Sequence, residues 1–388
     1  MQPISPRIAA ELAHIVYGIE EASPTGVYDL DFSPELLKTF EFDIPSSRIE
    51  ATTGAFFGLF RKSSGFAIVG HGKNQFAGHH VIAVRGSRTN HDWLTNSNVG
   101  LSVSSSGQHV HSGFNQAFES MKPALSRILS PHMTRGPVQG VHCVGHSLGG
   151  ALASLTGEWI RAEYRRPVKV YTFGAPRVGM TNFSTSFTHA TEGLYRCTHG
   201  ADPVPSVPLW PFKHAPVNGF EYRLDNGSGI SISAHGMSRT SNPGYLNTAN
   251  SAEWTSLHQS SLDYLNTPVR LEYERRHEAS FTTHWAEKIS AALITLLKDA
   301  GHYTAVLAQA SVTTSLTFYD LLARTLEHVA SASARFAEQT RGLLGHMLAF
   351  ARAVVTTVVD LSFRFIRWVF DQTVGALYDT VRQAIQQT

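Results

Sequence analysis

The sequence predicts an α/β protein with a mostly parallel central sheet and an added C-terminal helical region. An apolar run at 141–144 enters a glycine-containing turn and leaves it into the helix-forming residues 151–155, an order typical of a strand followed by a helix. Further β-rich runs stand at 80–84 and 194–198. From about Phe281 onward glycine becomes rare, proline disappears and apolar residues recur at helical spacing. These observations indicate a sheet core followed by helices.

The turn after the apolar run contains a serine in a G-x-S-x-G pattern, with Gly145, Ser147 and Gly149 at the fixed positions. A serine hydroxyl is a weak nucleophile until a base takes its proton, and a sharp strand-to-helix turn holds it within reach of a histidine. The backbone N–H of Leu148, at the start of the next helix, would point at an oxyanion. The pattern also arises by chance in glycine-rich loops. Alone, it leaves acyl transfer and an ordinary loop as alternatives.

Five further segments stand in order around this turn. They are Arg85-Gly86-Ser87, Asp92-Trp93, His111-Ser112-Gly113-Phe114, Phe173-Gly174-Ala175-Pro176-Arg177-Val178-Gly179 and Asp202-Pro203-Val204-Pro205. Together with the turn they closely resemble the fungal-type (class 3) lipase family, over about residues 60–265. The resemblance implies an α/β-hydrolase fold and ester hydrolysis by a Ser-Asp-His triad, with no metal or organic cofactor.

The resemblance also implies roles for particular residues. It makes Ser147 the nucleophile, Asp202 the acid that orients the histidine, and Ser87 the second oxyanion-hole residue beside Leu148. Asp202 follows the short strand at 194–198, which places its carboxylate at the C-terminal edge of a parallel sheet. The alternative for Asp202 is an ordinary turn aspartate before proline.

The histidine of the triad follows the aspartate along the chain in this fold. Candidates beyond Asp202 are His214, His235, His258, His277 and His284. His214 resembles a family histidine that is not the base, and His235 lies among Ser, Gly, Asn and Pro, which is typical of a surface loop. His258 opens a helix-like segment that ends in a tyrosine, as the family's catalytic histidine does. We therefore predict His258 as the base, with His284, which also begins an apolar helix, as the alternative.

Length and charge bound the organisation of the chain. Its 388 residues exceed an α/β-hydrolase core, so we predict a hydrolase domain over 1–275 and a helical region over 276–388. A net charge of +2 gives no indication of a nucleic-acid partner. We see no His/Cys spacing typical of a zinc site.

Two cysteines, Cys143 and Cys197, lie on predicted strands that another strand separates. We expect both to be buried apolar residues without a disulfide. The N-terminus lacks a basic start leading into an apolar core, so no secretory signal peptide is expected and the default location is the cytoplasm. After Pro6, apolar residues at helical spacing predict a short amphipathic helix.

Three helices are predicted near the C-terminus. The first ends near Gly301, the second covers 316–335, and the third runs over 341–372 with a wide apolar face. The charged residues Arg352 and Asp360 interrupt the apolar run of the third helix, so we do not predict a membrane-spanning segment. Three uses remain open for these helices: packing on the core, lying on a lipid surface, or docking another protein.

In the resembled family a lid helix follows the oxyanion residue. Residues 88–110 occupy that place here, and the Ser/Gly-rich stretch 102–107 is a candidate hinge; an ordinary surface loop is the alternative. The resemblance implies a lipase acting on lipid at an interface, with phospholipase A1-type activity as a variant. Two other hypotheses are an exported lipolytic toxin, which would use a route independent of a signal peptide, and a membrane- or protein-binding module with an inactive core.

Overall fold

The computed structural model describes residues 1–19, 28, 30–43, 48–53, 62–86, 100–208, 211–217, 220–225, 230–240, 243–261, 269–310, 318–354, 357–358 and 360–386. Its strands are β1 (Phe40–Glu41), β2 (Arg48–Thr53), β3 (Lys62–Gly72), β4 (His79–Val84), β5 (Leu101–Val103), β6 (His109–His111), β7 (Gly140–His146), β8 (Val168–Phe173), β9 (Gly193–Thr198) and β10 (Tyr222–Arg223). Its α-helices are α1 (Pro6–Ile15), α2 (Pro34–Thr39), α3 (Ser112–Arg135), α4 (Leu148–Tyr164), α5 (Thr181–Ala190), α6 (Tyr245–Ala249), α7 (Trp254–Ser261), α8 (Thr283–Asp299), α9 (Tyr303–Ala310), α10 (Phe318–Ala332), α11 (Ala334–Phe350) and α12 (Phe363–Gln386). Short 3₁₀ turns include Val204–Ser206 and Ile232–His235.

A mixed, mostly parallel sheet forms the centre of the molecule. Its strand order is β1-β3-β4-β7-β8-β9-β10, and β2 pairs with the same edge of β3 as β1. All pairs from β4 to β10 are parallel, whereas the pairs that β3 makes are antiparallel. This sheet, with its added C-terminal helices, confirms the predicted α/β-hydrolase fold class.

Helices bury both faces of the sheet. On β7, Val141 and Cys143 join the core beneath α3 and α4, whereas Val144 joins the core beneath α1. The alternation follows from the two-residue period of a strand, and β7 is buried along its whole length. Cys143 and Cys197 are free and buried, as predicted, and β8 separates their strands.

The N-terminal helix α1 forms as predicted. The Ser5 hydroxyl accepts the N–H of Ile8 at 3.3 Å, and Pro6 stands at the first helical position, where a missing N–H leaves no hydrogen bond unmade. The apolar stripe of this helix is buried against the sheet.

Helices α8 and α10 agree with the first two predicted C-terminal segments, α9 between them was not predicted, and the third predicted segment differs from the structure. Helix α8 ends just before Gly301, whose φ of 74° suits glycine. Helix α10 lies within the predicted 316–335, of which 316–317 lie outside the described residues. The single helix predicted over 341–372 is wrong, because α11 ends at Phe350 and α12 begins at Phe363.

Local hydrogen bonds account for this break. Arg352 adopts a left-handed φ of 54°, and the N–H of Ala353 bonds back to the carbonyl of Leu348 at 3.0 Å, which closes α11. The Ser362 hydroxyl accepts the N–H of Phe365 at 3.3 Å at the start of α12. Apolar spacing continues through the break, so periodicity alone could not show it. As a result Val354, an apolar residue within the segment predicted as one helix, is fully exposed.

The C-terminal helices share one hydrophobic core with loops of the sheet domain. Met180, before α5, and Val204 and Val207, after Asp202, belong to the same buried cluster as α8, α10, α11 and α12. None of the described helices is long and apolar enough to cross a membrane. The division between residues 275 and 276 stays a prediction.

Residues 100–110 include a hairpin, whereas 88–99 of the predicted lid lie outside the described residues. Within the candidate hinge, the Ser104 hydroxyl donates to Glu158 Oε1 on α4 at 2.6 Å, and the N–H of Ser106 donates to the same oxygen at 2.7 Å. Glu158 is itself buried. These bonds tether the stretch 102–107 to α4, and its role as a hinge stays a prediction.

Buried histidines make the stability of this fold depend on pH. Burial lowers the pKa of His111 to about 4. Burial, with the nearby His71, lowers the pKa of His80 to about 4 as well. An unfolded chain keeps histidine pKa values near about 6.5, so between these values it binds more protons than the folded chain. The free energy of unfolding should therefore fall as the pH decreases from about 6.5 to about 4.

His111→Asn tests this expectation. His111 precedes α3, and its Nδ1 accepts the N–H of Gly113 at 3.2 Å, a capping bond that asparagine can replace. Urea unfolding at pH 7.5 and pH 4.5 should show a loss of stability that is smaller in the variant, by up to about 3 kcal/mol. The exposed His189, replaced in the same way, is the control. An equal loss in His111→Asn and wild type would contradict the prediction.

Candidate active site

Ser147 lies in the sharp turn between β7 and α4. Its φ of 57° and ψ of −130° are unusual for a residue with a side chain. The N–H of Ser147 donates to the carbonyl of Phe173 on β8 at 2.9 Å, which holds the turn against the sheet. A Cβ on Gly145 would overlap the carbonyl of Gly149, and one on Gly149 would overlap the carbonyl of Val84. The two glycines of the pattern are therefore needed for close backbone approach.

Asp202 lies just beyond the C-terminal end of β9, as predicted. Its side chain is buried, and Oδ1 accepts the N–H of Val204 at 2.9 Å. The hydroxyl of Tyr245, from α6, donates to Oδ2 at 2.7 Å. These two bonds fix the carboxylate in one orientation.

His235, at the end of the 3₁₀ turn Ile232–His235, connects the serine to the aspartate. The Ser147 hydroxyl donates to His235 Nε2 at 2.9 Å, and His235 Nδ1 donates to Asp202 Oδ2 at 3.0 Å. This direction follows from the chemistry, because a carboxylate only accepts hydrogen bonds and so assigns the proton to Nδ1. All three side chains are buried, with residue exposures of 2% for Ser147, 1% for Asp202 and 0% for His235. The arrangement is that of a nucleophile, a base and an orienting acid.

Two further buried histidines hold the turn that carries His235. His146 Nε2 donates to the carbonyl of His235 at 2.8 Å, while its Nδ1 accepts the Tyr17 hydroxyl at 2.8 Å. His199 Nδ1 donates to the carbonyl of Ala234 at 2.6 Å. Burial is the main cause that lowers the pKa of both His146 and His199. Their neutral rings thus add no positive charge beside the base.

The first predicted oxyanion donor, the N–H of Leu148, directly follows the nucleophile along the chain. Leu148 opens α4, so its N–H is among the four that have no partner within the helix. Ser87 lies outside the described residues. Its neighbour Gly86 is described, and a Cβ built there would lie 3.3 Å from the Cβ of Ser147. The chain therefore passes directly beside the nucleophile just before Ser87.

Comparison with known proteins was made against protein families, curated proteins and solved structures. The family model for class 3 lipases matches residues 81–212. This part of the chain belongs to the class 3 lipase family.

Among relatives of this class 3 lipase segment, a secreted mono- and diacylglycerol lipase 1 of Fusarium solani is 37% identical over 151 residues, covering 38% of this chain and 44% of that protein. Toxin TseL of Vibrio cholerae is 35% identical over 106 residues, covering 27% of this chain and 16% of the toxin. A solved triacylglycerol lipase, described as having a serine protease triad as its catalytic centre, is 21% identical with a TM-score of 0.43, covering 56% of this chain and 78% of that one. The chain thus spans less than half the length of the two curated relatives.

The structure does not place His258 in the site. His258 lies on α7, where its side chain is exposed and its ring lies 4.7 Å from that of Phe220. The alternative His284 is exposed on α8, beside Trp285. His214 is half-buried, and its Nε2 donates to the carbonyl of Pro205 at 2.7 Å. The position next to the Ser147 hydroxyl is instead occupied by His235, which lies beyond the residues matched by the class 3 lipase model.

The sequence around His235 carries only weak indications that this histidine is buried. The polar composition around it indicates a surface loop, yet Ile232, Ala234 and Met237 alternate with polar residues across the turn, and Ala234 and Met237 are buried. A tyrosine follows at position 245, and this is the residue that bonds Asp202. One element that packs against the turn is α12, which begins more than a hundred residues later. No local pattern could show that contact.

Arg177 connects the active-site loops to the C-terminal helices. Its buried guanidinium donates to the carbonyls of Ser206 at 2.7 Å and Pro208 at 2.8 Å, and it pairs with Glu287 of α8. The Thr283 hydroxyl likewise donates to the carbonyl of Gly200. The FGxPRVG motif of the class 3 lipase segment thus links the Asp202 loop to the helices that cover the site.

Proposed function

We propose that this chain hydrolyses carboxylic ester bonds of lipids, with Ser147 as the nucleophile, His235 as the general base and Asp202 as the orienting acid. The observation that carries the proposal is the continuous hydrogen-bonded chain from Ser147 Oγ through the two nitrogens of His235 to Asp202. The class 3 lipase match over 81–212 supports the same chemistry.

In the first half of the reaction the enzyme becomes acylated. His235 Nε2 takes the proton of the Ser147 hydroxyl as Oγ bonds to the ester carbonyl carbon, and the carbonyl oxygen becomes an oxyanion. The N–H of Leu148 donates to that oxyanion, with Ser87 proposed as the second donor. The intermediate then breaks its bond to the alcohol oxygen, which receives the proton from His235.

In the second half water releases the acid. His235 takes a proton from water as the water oxygen bonds to the acyl carbon, and the new oxyanion expels Ser147 Oγ, which regains its proton from His235. Asp202 stabilises the imidazolium in both halves. Tyr245 acts as a positioning residue, because its hydroxyl holds the carboxylate toward the ring.

The burial of the three side chains suggests how the substrate class is restricted. A soluble ester reaches Ser147 only if a covering element moves, and an apolar interface favours such movement because it buries the apolar surface that opening exposes. Acylglycerols are the proposed substrates, in line with the relative described as a mono- and diacylglycerol lipase. Cleavage of phospholipids at the sn-1 position is the alternative activity. In either case the proposed partner is a lipid or phospholipid interface.

A second candidate function is that of an exported lipolytic toxin. The match to toxin TseL over 106 residues favours it. The chemistry at Ser147 would be the same, and the target would be a membrane of a competing cell. Expression directed to the periplasm of a bacterial host should then arrest growth, and expression in the cytoplasm or of a Ser147→Ala variant should not.

The proposed reaction is tested with mixed micelles of phosphatidylcholine and with emulsified mono-, di- and triacylglycerol. Wild type should release fatty acid, and Ser147→Ala should lower the rate by at least about four orders of magnitude. Ser154→Ala is the matched control, because Ser154 also lies on α4 but its hydroxyl donates to the carbonyl of Gly150 at 2.9 Å. The position of the released acid distinguishes acylglycerol from phospholipase A1-type activity.

If neither protein releases fatty acid while both bind lipid equally, ester hydrolysis is ruled out. The chain would then be a binding module with an inactive core. Equal release by both would exclude Ser147 as the nucleophile.

A further inference from the structure

Three histidines from separate elements meet at the edge of the molecule. His71 lies one residue before the end of β3, His80 lies at the start of β4, and His132 lies in the last turn of α3. One nitrogen of each ring lies within 4.8 Å of the other two. The Nδ1 atoms of His71 and His80 are 2.9 Å apart, and the ring of His132 lies 4.6 Å from that of His71 and 5.2 Å from that of His80.

This geometry is close to that of a metal site. Zinc binds imidazole nitrogens at about 2.0–2.1 Å in a tetrahedral arrangement, which separates the ligand nitrogens by about 3.3 Å. The 2.9 Å between the two Nδ1 atoms and the 4.8 Å limit for all three nitrogens bracket that value, so small ring rotations would bring them to ligand spacing. His80 is buried, His71 is half-buried and His132 is exposed. The site is therefore both anchored in the sheet and open to solvent.

The surroundings of His71 and His80 favour the neutral form that binds metal. Burial, followed by the charge of His132, lowers the pKa of His71, and burial lowers that of His80 to about 4. A neutral imidazole has the lone pair that a metal needs. Glu41 stands opposite His71 in the β1–β3 pair, and its carboxylate raises the pKa of His71. The same negative charge would attract a cation.

A neighbouring pair of histidines serves a different purpose. His79 Nδ1 lies 3.1 Å from His142 Nε2, and His142 Nδ1 lies 3.2 Å from the Tyr171 hydroxyl. These rings therefore satisfy one another in the sheet core.

We propose that His71, His80 and His132 bind one divalent zinc ion, with water or the Glu41 carboxylate as the fourth ligand. The ion would clamp the β3–β4 hairpin to the end of α3. Zinc was not predicted from the sequence because the three ligands are far apart along the chain and lack local zinc-site spacing.

The position of the site argues for a structural role. His80 pairs with Val141 at the start of β7, and Ser147 follows at the other end of that strand. Six residues of strand correspond to about 20 Å. Zinc bound there would not touch an ester at Ser147, so its effect should appear in stability and not in turnover.

Zinc binding is tested on full-length protein freed of its affinity tag and stripped with a chelator. Titration calorimetry with Zn²⁺ should give one ion per chain. His132→Ala should weaken binding at least about tenfold, as expected when one ligand of three is lost. His132 is exposed and helical, so alanine should leave the fold intact, and circular dichroism checks this. His189→Ala, another exposed histidine on a helix, is the matched control.

Two further readouts keep the test independent of ester hydrolysis. Zn²⁺ should raise the midpoint of thermal unfolding in wild type and in His189→Ala, but not in His132→Ala. Co²⁺ in place of Zn²⁺ should give the visible absorption of a tetrahedral site in wild type and lose it in His132→Ala. Absence of stoichiometric binding, or equal affinity in wild type and His132→Ala, would overturn the proposal.

Discussion

Replacing His235 with alanine should lower kcat/KM for a soluble short-chain ester by about four to six orders of magnitude, whereas His258→Ala should leave it near the wild-type value. Loss of the base leaves the Ser147 hydroxyl without a proton acceptor, and only the oxyanion donors and binding remain. His258 is exposed on α7 against Phe220, so its removal touches no part of the site. Initial rates with a p-nitrophenyl ester, measured over a range of substrate concentrations, give the comparison.

A control must show that the His235 variant loses the base and not the folded structure. His235 is buried, and alanine there leaves a small cavity, so His235→Gln is measured beside it because glutamine fills the space without acting as a base. Both variants should keep the circular dichroism spectrum of wild type while losing turnover. An active His235→Ala together with an inactive His258→Ala would reverse the assignment of the base.

Deleting α12 (Phe363–Gln386) should abolish turnover even of soluble esters and remove most of the stability of the chain. The helix packs against the turn that carries His235. It buries the apolar side chains of Ile366, Val369, Phe370, Val374, Leu377, Val381 and Ile385. At about 1.5–3 kcal/mol for each fully buried side chain, their loss is comparable with the whole stability of a typical domain. Denaturant unfolding and p-nitrophenyl ester rates of the deleted and full-length chains give the test.

A surface variant separates packing from contact with lipid. Trp368 lies on α12 with 38% of its surface exposed, so Trp368→Ser should preserve both the fold and the turnover of soluble esters. If it also loses binding to phospholipid vesicles, the outer face of α12 is a lipid contact. If the deleted chain keeps turnover of soluble esters and loses only vesicle binding, the expectation that α12 supports the active site is wrong.

The residues that sequence reasoning placed well depend on local signals. The turn at Ser147 needs small residues within two positions on each side, and Asp202 follows directly from the end of a strand. Both requirements are visible within a few residues. The same holds for α1, where Ser5 and Pro6 mark the start and the apolar stripe marks the buried face.

The residues that it missed depend on distant contacts. His235 looks like a surface residue because its neighbours are polar, but its ring is buried among Ser147, Asp202 and His146, and a helix from the far C-terminal part of the chain packs against its turn. The break between α11 and α12 could not be predicted from the sequence for a related reason. The spacing of apolar residues shows which face of a helix is apolar. The helix is interrupted by the left-handed backbone of Arg352 and by the Ser362 cap, each of which depends on one residue and does not change that spacing.

The order of these elements along the chain bears on synthesis. A ribosome makes Ser147, Asp202 and His235 well before it makes α12, so the growing chain carries the reactive groups without the helix that steadies the His235 turn. The growing chain would then be catalytically inactive until α12 has been synthesised and has packed against the turn. With the proposed lipid-ester hydrolysis at Ser147, this delay would protect the membranes of the cell that makes the chain.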